Sequence, residues 1–283
     1  VIRLDHLSFR YSEGTQALRE VTLEFPTGQF WALLGANGCG KTTLLKLLVG
    51  LLKPTSGAIL IDGRDLTKLK DKELFSRINL VFQDPNDQLF AATVAQDVAF
   101  GPTNLGLSPV EIEARTKEAL SEVGLVGLEE RPIHTLSYGQ KRRAALAGVL
   151  AMRPEVILLD EPTSGLDPKG IYAIMSLLRK INRDKGVSII VATHDVDLVP
   201  LFCDQVAIMK KGELLSSGDP EKVFGNETLA RSAELRLPRI AHLMEILEKE
   251  DGLPFTSRPL TIAGARRELL EVINRSHTST GEA

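Results

Sequence analysis

Phe30-Trp31-Ala32-Leu33-Leu34-Gly35-Ala36-Asn37-Gly38-Cys39-Gly40-Lys41-Thr42 decides the fold. Phe30 to Leu34 is a continuous apolar run of strand length, and the eight residues from Gly35 fit G-x-x-x-x-G-K-[ST]. Leu44, Leu45, Leu47, Leu48 and Leu51 then recur at helical spacing until Pro54 stops the run. Strand, glycine-rich loop and helix in this order aim a helix N-terminus, with its positive dipole end, at an anion. The loop's N–H groups can wrap a triphosphate while Lys41 reaches the terminal phosphates and Thr42 holds Mg²⁺. Cys39 occupies a variable position of the pattern and reads as a spacer rather than a nucleophile.

Outward from this unit, residues 78–82, 156–159, 188–192 and 206–209 read as buried strands with helices between several of them, an α/β arrangement around a parallel sheet. Before it, Ile2, Leu4, Leu7 and Phe9 roughly alternate with polar residues, and Val21, Leu23 and Phe25 alternate strictly. That period predicts an N-terminal antiparallel β-layer. From Thr93 to Gly127 the pattern is helical, with a cap at Ser108 before Pro109 and apolar positions Ile112, Leu120, Val123 and Leu125. After Gly218 the strand signals end. Ile240, Leu243, Met244 and Leu247 share one helical face, and Ile262, Leu269, Leu270 and Ile273 form a second apolar set behind a cap at Thr261. The expected organisation is a core domain over residues 1–225 with a helical subdomain at about 93–150, a small helical appendage over 226–275, and a disordered polar tail over 276–283.

Composition narrows the classes. The 283 residues carry a formal charge of −3 with 43% hydrophobic residues, so no basic field marks a nucleic-acid binder. Two distant cysteines, Cys39 and Cys203, suit a reducing compartment, for which the cytoplasm is the default. Arg3, Asp5, His6 and Arg10 break up the first ten residues, so no export signal is expected there. The apolar runs fall short of the roughly 20 residues that span a bilayer, so any membrane role is expected to be peripheral.

Two further segments carry chemistry. Residues 156–159 deliver Asp160 and Glu161 to the rim of the sheet, where ligands bind. Asp160 is placed to orient the Mg²⁺ shell and Glu161 to polarise a water attacking the γ-phosphate, because phosphoryl transfer needs positioning and charge neutralisation; the plainer reading is an acidic pair capping the next helix. Leu136-Ser137-Tyr138-Gly139-Gln140 precedes a helical run over 140–152, so Ser137 can cap that helix while its first-turn N–H groups offer a second anion site. One nucleotide seldom needs two such sites from one subunit. The Lys141, Arg142 and Arg143 cluster has the look of a catalytic basic group, but reads rather as a solvated helix face, since helix surfaces usually carry such charges.

The order of these segments resembles the ATP-binding subunits of ABC transporters, from about residue 2 to about 220. The resemblance implies a P-loop ATPase core, a parallel sheet with flanking helices, with 136–140 as the family signature on a helical subdomain. ATP and Mg²⁺ are the implied cofactors. Tyr11 is assigned to stacking on adenine, Gly35, Ala36, Asn37, Gly38, Cys39, Gly40, Lys41, Thr42 and Thr43 to the phosphates, and Thr42, Gln83 and Asp160 to the metal. Glu161, His194, Gln83 and Lys41 are the catalytic set, with His194 sensing the γ-phosphate. Gln83 and His194 each follow a strand, so both would converge on the edge that bears Asp160. Ser164-Gly165-Leu166-Asp167 would cross to a second ATPase subunit, identical or related, docked head to tail. Each ATP would then lie between one subunit's loop and Ser137, Gly139 and Gln140 of the other. Tyr138 departs from the family's commonest glycine.

Gln83-Asp84-Pro85-Asn86-Asp87-Gln88-Leu89-Phe90, with its second glutamine, looks like the loop of energy-coupling-factor importers. The stretches 193–203 and 235–240 are similar to the cobalt or nickel branch of that group. This implies a peripheral ATPase on the cytoplasmic face of the cell membrane, docked to membrane-embedded transporter subunits near the stretch from Phe82 to Phe90, with no nucleic-acid partner. A vitamin-importing relative is the alternative, and a soluble ABC ATPase of DNA repair or translation and a phosphate-loop kinase are more distant ones. The appendage would serve subunit pairing or simply pack on the main domain, which its amphipathic faces allow equally.

Overall fold

A computed structural model describes residues 1–225 and 234–279 of the chain, for the last four of these as backbone only. Ile2–Arg10 (β1) and Gln16–Phe25 (β2) pair antiparallel, as their alternation predicts. Phe30–Leu34 (β3) is buried at every position and runs through the glycine loop into Lys41–Leu48 (α1). Ser56–Ile61 (β4) and Arg64–Asp65 (β5) follow, and β4 pairs with β1 to complete a four-stranded layer in the order β2-β1-β4-β5.

Asp71–Arg77 (α2) leads into Ile78–Val81 (β6). The helical layer is then built by Val94–Asn104 (α3), Pro109–Glu122 (α4) and Tyr138–Ala151 (α5). Ser108 caps α4 through its side-chain oxygen as expected, and Thr93, where the helical pattern begins, caps α3 in the same way. Val156–Asp160 (β7), Pro168–Lys185 (α6), Ser188–Thr193 (β8), Val199–Phe202 (α7), Gln205–Lys210 (β9), Glu213–Gly218 (β10) and Pro220–Gly225 (α8) close the core. The second sheet has the order β10-β9-β3-β8-β7-β6, parallel throughout except for the β9–β10 pair.

Register places the functional ends side by side. Leu33 pairs with Ala192, and Ala192 with Asp160, so the chain leaves β3, β8 and β7 at one level, where Gly35, His194 and Glu161 come next. This is the carboxyl edge, where open α/β sheets bind ligands.

The appendage consists of Arg239–Lys249 (α9) and Ile262–Ser279 (α10). Thr261 caps α10 through the Gly264 N–H at 3.2 Å. Leu235, Leu237, Ala241 and Leu260 pack with Ala32, Leu34, Val206 and Ile208 of the second sheet, whereas Leu243, Ile262, Leu270 and Ile273 remain exposed. The helix α10 continues to Ser279, four residues into the stretch read as a tail from Ser276; its hydrogen-bonded turns outlast the apolar periodicity from which the boundary was drawn. Residues 226–233, where the sequence reading starts the appendage, and 280–283 lie outside the described residues.

Candidate nucleotide site

The loop between β3 and α1 is held by its own side chains. Lys41 is 6% exposed and donates from Nζ to the Gly35 carbonyl at 2.7 Å and the Ala36 carbonyl at 3.3 Å, which curls the loop around its ammonium. Gly40, at φ 108°, turns the backbone into α1 in a conformation that side-chain-bearing residues rarely adopt. A Cβ there would come within 2.6 Å of the Ala17 carbonyl oxygen. Asn37 and Gly38 are exposed at the loop's crest, while Cys39 is buried beneath it. Burial pushes the Cys39 thiol above its ordinary pKa against the opposing pull of Lys41, which suits a packed spacer and not a nucleophile. Tyr11 stands edge-on to Phe9 at 4.8 Å, and its hydroxyl lies 3.0 Å from Thr43 Oγ1. That bond ties the residue expected at adenine to the first turn of α1.

Thr42 donates from Oγ1 to Asp160 Oδ2 at 2.7 Å, bringing two hard oxygen groups from β7 and α1 together. The donor set fits Mg²⁺, which takes oxygen ligands from one or two protein groups and otherwise water and phosphate. Beside it, Glu161 is 7% exposed and adopts φ 46°, uncommon for a residue with a side chain. His194 Nδ1 lies 3.0 Å from both carboxylate oxygens of Glu161 but in hydrogen-bond geometry only to Oε1. Among the described residues Oε2 is thus buried with no hydrogen-bond partner, which leaves its acceptor capacity unused. The plain capping role for the acidic pair does not describe this arrangement, since the next helix, α6, is capped by Asp167.

Gln83 is exposed just beyond β6. The second glutamine of its loop, Gln88, accepts from Phe82 N–H at 3.2 Å and donates to the Ala145 carbonyl of α5 at 2.9 Å. Asp97 closes the loop's far end by accepting from the N–H groups of Phe90 and Ala91 at 2.9 and 3.0 Å. Phe90 itself is 65% exposed and stacks edge-on against exposed Phe100.

Ser137 caps α5, which begins at Tyr138, two residues ahead of the expected start. A reciprocal box forms, with Gln140 N–H donating to Ser137 Oγ at 3.3 Å and Ser137 N–H to Gln140 Oε1 at 2.9 Å. The spacing S-x-x-Q carried that signal in the sequence. Gln140 therefore serves the cap with its side chain, while the Ser137 hydroxyl keeps its proton for an acceptor. None of these bonds reaches residues 35–43; Gly139 instead approaches Leu166.

Arg142 corrects the expectation of a solvated basic face. Its neighbours Lys141 and Arg143 are partly exposed, but Arg142 is 5% exposed. Its guanidinium donates to the carbonyls of Glu161 at 2.9 Å, Gln83 at 3.1 Å and Ser164 at 2.6 Å, and to the Tyr138 hydroxyl at 3.0 Å. A signal was available: Arg142, Ala145, Leu146 and Val149 form a stripe at helical spacing along an apolar helix. A second addition lies after His194. Asp197 accepts from Arg236 Nη2 at 2.7 Å and from the Arg239 N–H at 2.7 Å, so the entry to the appendage is bound to the turn that carries His194.

Comparison with known proteins places this geometry. The ABC transporter family matches residues 18–164. An energy-coupling factor transporter ATP-binding protein of Methanocaldococcus jannaschii is 48% identical over 275 residues, covering 96% of this chain and 98% of that protein. A namesake from Clostridium perfringens is 46% identical over 271 residues, 95% of each chain. Among solved structures, cbiO1 of Clostridium perfringens, described as part of the ABC transporter complex cbiONQ, superposes with a TM-score of 0.75 at 46% identity, covering 87% of this chain and 99% of that one. The ATP-binding cassette MJ0796, solved as a dimer in a post-hydrolysis state with ADP and phosphate, gives a TM-score of 0.70 at 31% identity, covering 78% of this chain and 99% of the other.

Proposed function

The chain belongs to the ABC transporter family as an energy-coupling-factor ATP-binding protein, and from that premise we propose that it powers import of cobalt or nickel ions as one half of a head-to-tail dimer docked to membrane-embedded partners. It hydrolyses ATP to drive transport. The observation that carries the dimer reading is the division of the phosphate-binding groups. The loop, Asp160, Glu161 and His194 share one sheet edge, while the Ser137 cap stands on the helical layer and makes no bond to that edge. Each half completes the other only across two chains.

Within one site, Lys41 binds the terminal phosphates, Glu161 orients the attacking water through its free oxygen, and His194 holds the Glu161 carboxylate while facing the γ-phosphate. Tyr11 takes the adenine. Thr42 and Asp160, with Gln83, would hold Mg²⁺, which supplies neutralisation of phosphate charge. Closure on ATP and reopening after hydrolysis move the loop at Gln83, which Gln88 ties to α5; exposed Phe90 and Phe100 beside it suit an apolar contact with the membrane partner. The likeness to cbiO1 supports the cobalt branch. No helix among the described residues is long and apolar enough to cross a membrane, which fits peripheral docking on the cytoplasmic face.

Glu161→Gln tests the reading. It should trap an ATP-bound dimer, seen as a doubled mass in gel filtration with ATP, with turnover lowered by at least about a hundredfold. Normal turnover by this variant overturns the assignment of Glu161. Uptake of labelled cobalt, nickel or vitamins by vesicles holding the membrane partners separates the two cargo classes.

A further inference from the structure

Arg142 is buried, charged, and surrounded by neutral acceptors. Three of its four partners are main-chain carbonyls on two loops, that of Gln83 after β6 and those of Glu161 and Ser164 between β7 and α6. The fourth is the hydroxyl of Tyr138, whose ring centroid also lies 5.1 Å from the guanidinium carbon. Burying a cation without a carboxylate among its partners is costly, and an apolar side chain would fill the space more cheaply. What the guanidinium adds is geometry, because its planar fork fixes several acceptors relative to one another.

Those acceptors are the moving parts of the proposed mechanism. The Glu161 carbonyl accepts from Arg142 Nη1 and from the Ser164 N–H at 3.1 Å, while the Glu161 N–H donates to Ala192 at 2.9 Å. These bonds hold the left-handed backbone from which the Glu161 side chain projects, so the orientation of its carboxylate depends on where Arg142 sits. Tyr138 connects the other way. It lies between Ser137 and Gly139, the residues placed against the partner's ATP, and its ring packs on Gly165, where a Cβ would meet Cε1 at 3.3 Å. The residue that departs from the family's glycine is the one that grips Arg142.

We propose that Arg142, gripped by Tyr138, is a positioning residue that links the signature of a chain to the Glu161 of that same chain, so that ATP held by the signature in one site of the dimer sets the base in the other. This rests on the head-to-tail reading above. The signature touches the ATP bound to the partner, and Glu161 acts on the chain's own ATP, so one side chain spans both sites. Hydrolysis is then cooperative in ATP, and the cooperativity runs through the Tyr138 hydroxyl.

The test uses the full chain and initial rates of phosphate release across ATP concentrations. Tyr138→Phe keeps the ring on Gly165 and removes only the acceptor. It should lower kcat by about tenfold with little change in KM, and take the Hill coefficient from about 2 toward about 1, while the melting temperature stays near that of the wild type. Arg142→Lys, which lacks the fork that joins both loops to Tyr138, should fail to reproduce the wild-type curve. The double variant Tyr138→Phe with Arg142→Lys should be no worse than Arg142→Lys alone, because the two residues act as one unit. Wild-type kcat and Hill coefficient in Tyr138→Phe, additive losses in the double variant, or a wild-type Hill coefficient of about 1 each overturn the link. If Glu161→Gln forms no ATP-dependent dimer, the head-to-tail reading itself fails; if it does and the Tyr138 and Arg142 variants behave as wild type, only the link fails.

Discussion

Gly40→Ala puts the loop's geometry to a quantitative test. Gly40 sits at φ 108° and ψ 1°, and holding a residue with a Cβ in such a sparsely populated region costs about 1–3 kcal/mol. The added carbon would also lie 2.6 Å from the Ala17 carbonyl oxygen and 2.9 Å from Leu18 Cδ2. The first is main chain of β2 and the second belongs to a fully buried side chain, so neither yields easily. Overpacking of this kind costs about 1–3 kcal/mol more. The sum, about 2–6 kcal/mol, is a large share of the ~5–15 kcal/mol that holds a typical fold. At about 2–4 °C per kcal/mol, the melting temperature should fall by roughly 5–20 °C, and ATP affinity measured by titration calorimetry should fall with it. Gly38→Ala is the internal control: Gly38 has φ 79°, but a Cβ there meets no atom within 4 Å. It carries the conformational cost without the clash and should melt at a temperature clearly between the other two. Equal melting temperatures for the two variants in differential scanning calorimetry would refute the packing argument, and a Gly40→Ala protein as stable as the wild type would refute both parts.

Two further expectations follow from the same contacts. Gln88→Leu removes the bonds to Phe82 N–H and to the Ala145 carbonyl, worth about 1–3 kcal/mol together; ATPase rates of the purified chain should persist while solute uptake per ATP falls in reconstituted vesicles, and an unchanged ratio would count against Gln88 as the tie between loop and helix. Burial raises the Asp204 pKa, but the Arg179 fork and the Phe30 N–H outweigh it and hold the carboxyl below its ordinary range. A depressed carboxylate stabilises the fold above its unfolded pKa, about 4, and loses that contribution as pH falls through the folded value. Asp204→Asn should therefore be less stable than the wild type by about 1–2 kcal/mol at neutral pH, with the gap in urea unfolding narrowing below about pH 4; a gap that widens on acidification has the wrong sign.

The local parts of the fold were legible because short-range physics dictates them. The apolar run at β3, the glycine loop and the leucine-spaced helix form one contiguous unit, and the caps at Ser108, Ser137 and Thr261 are side-chain oxygens beside their own helices. The strand β4 was not read. It holds Gly57 and follows a helix, and its apolar residues gain meaning only when Ile59 and Ile61 pair with Leu4 and Ile2 of β1, more than fifty positions away in sequence. The convergence of Gln83, Glu161 and His194 needed the resemblance, since strand order β3-β8-β7-β6 is not implied by chain order.

Arg142 shows the sharper limit. A run of Lys-Arg-Arg has the composition of a solvated face, and composition is averaged over residues that a helix points in different directions. At 100° per residue, Lys141 turns toward Asn86, Arg143 toward the carbonyls that end α4, and Arg142 into the seam between the helical layer and the sheet. Whether that seam offers acceptors depends on two loops, after β6 and after β7, that the strand order brings side by side. Since the same sheet brings Glu161 to His194, a substitution that frees the arginine should disturb the proposed base without touching a residue of the nucleotide loop.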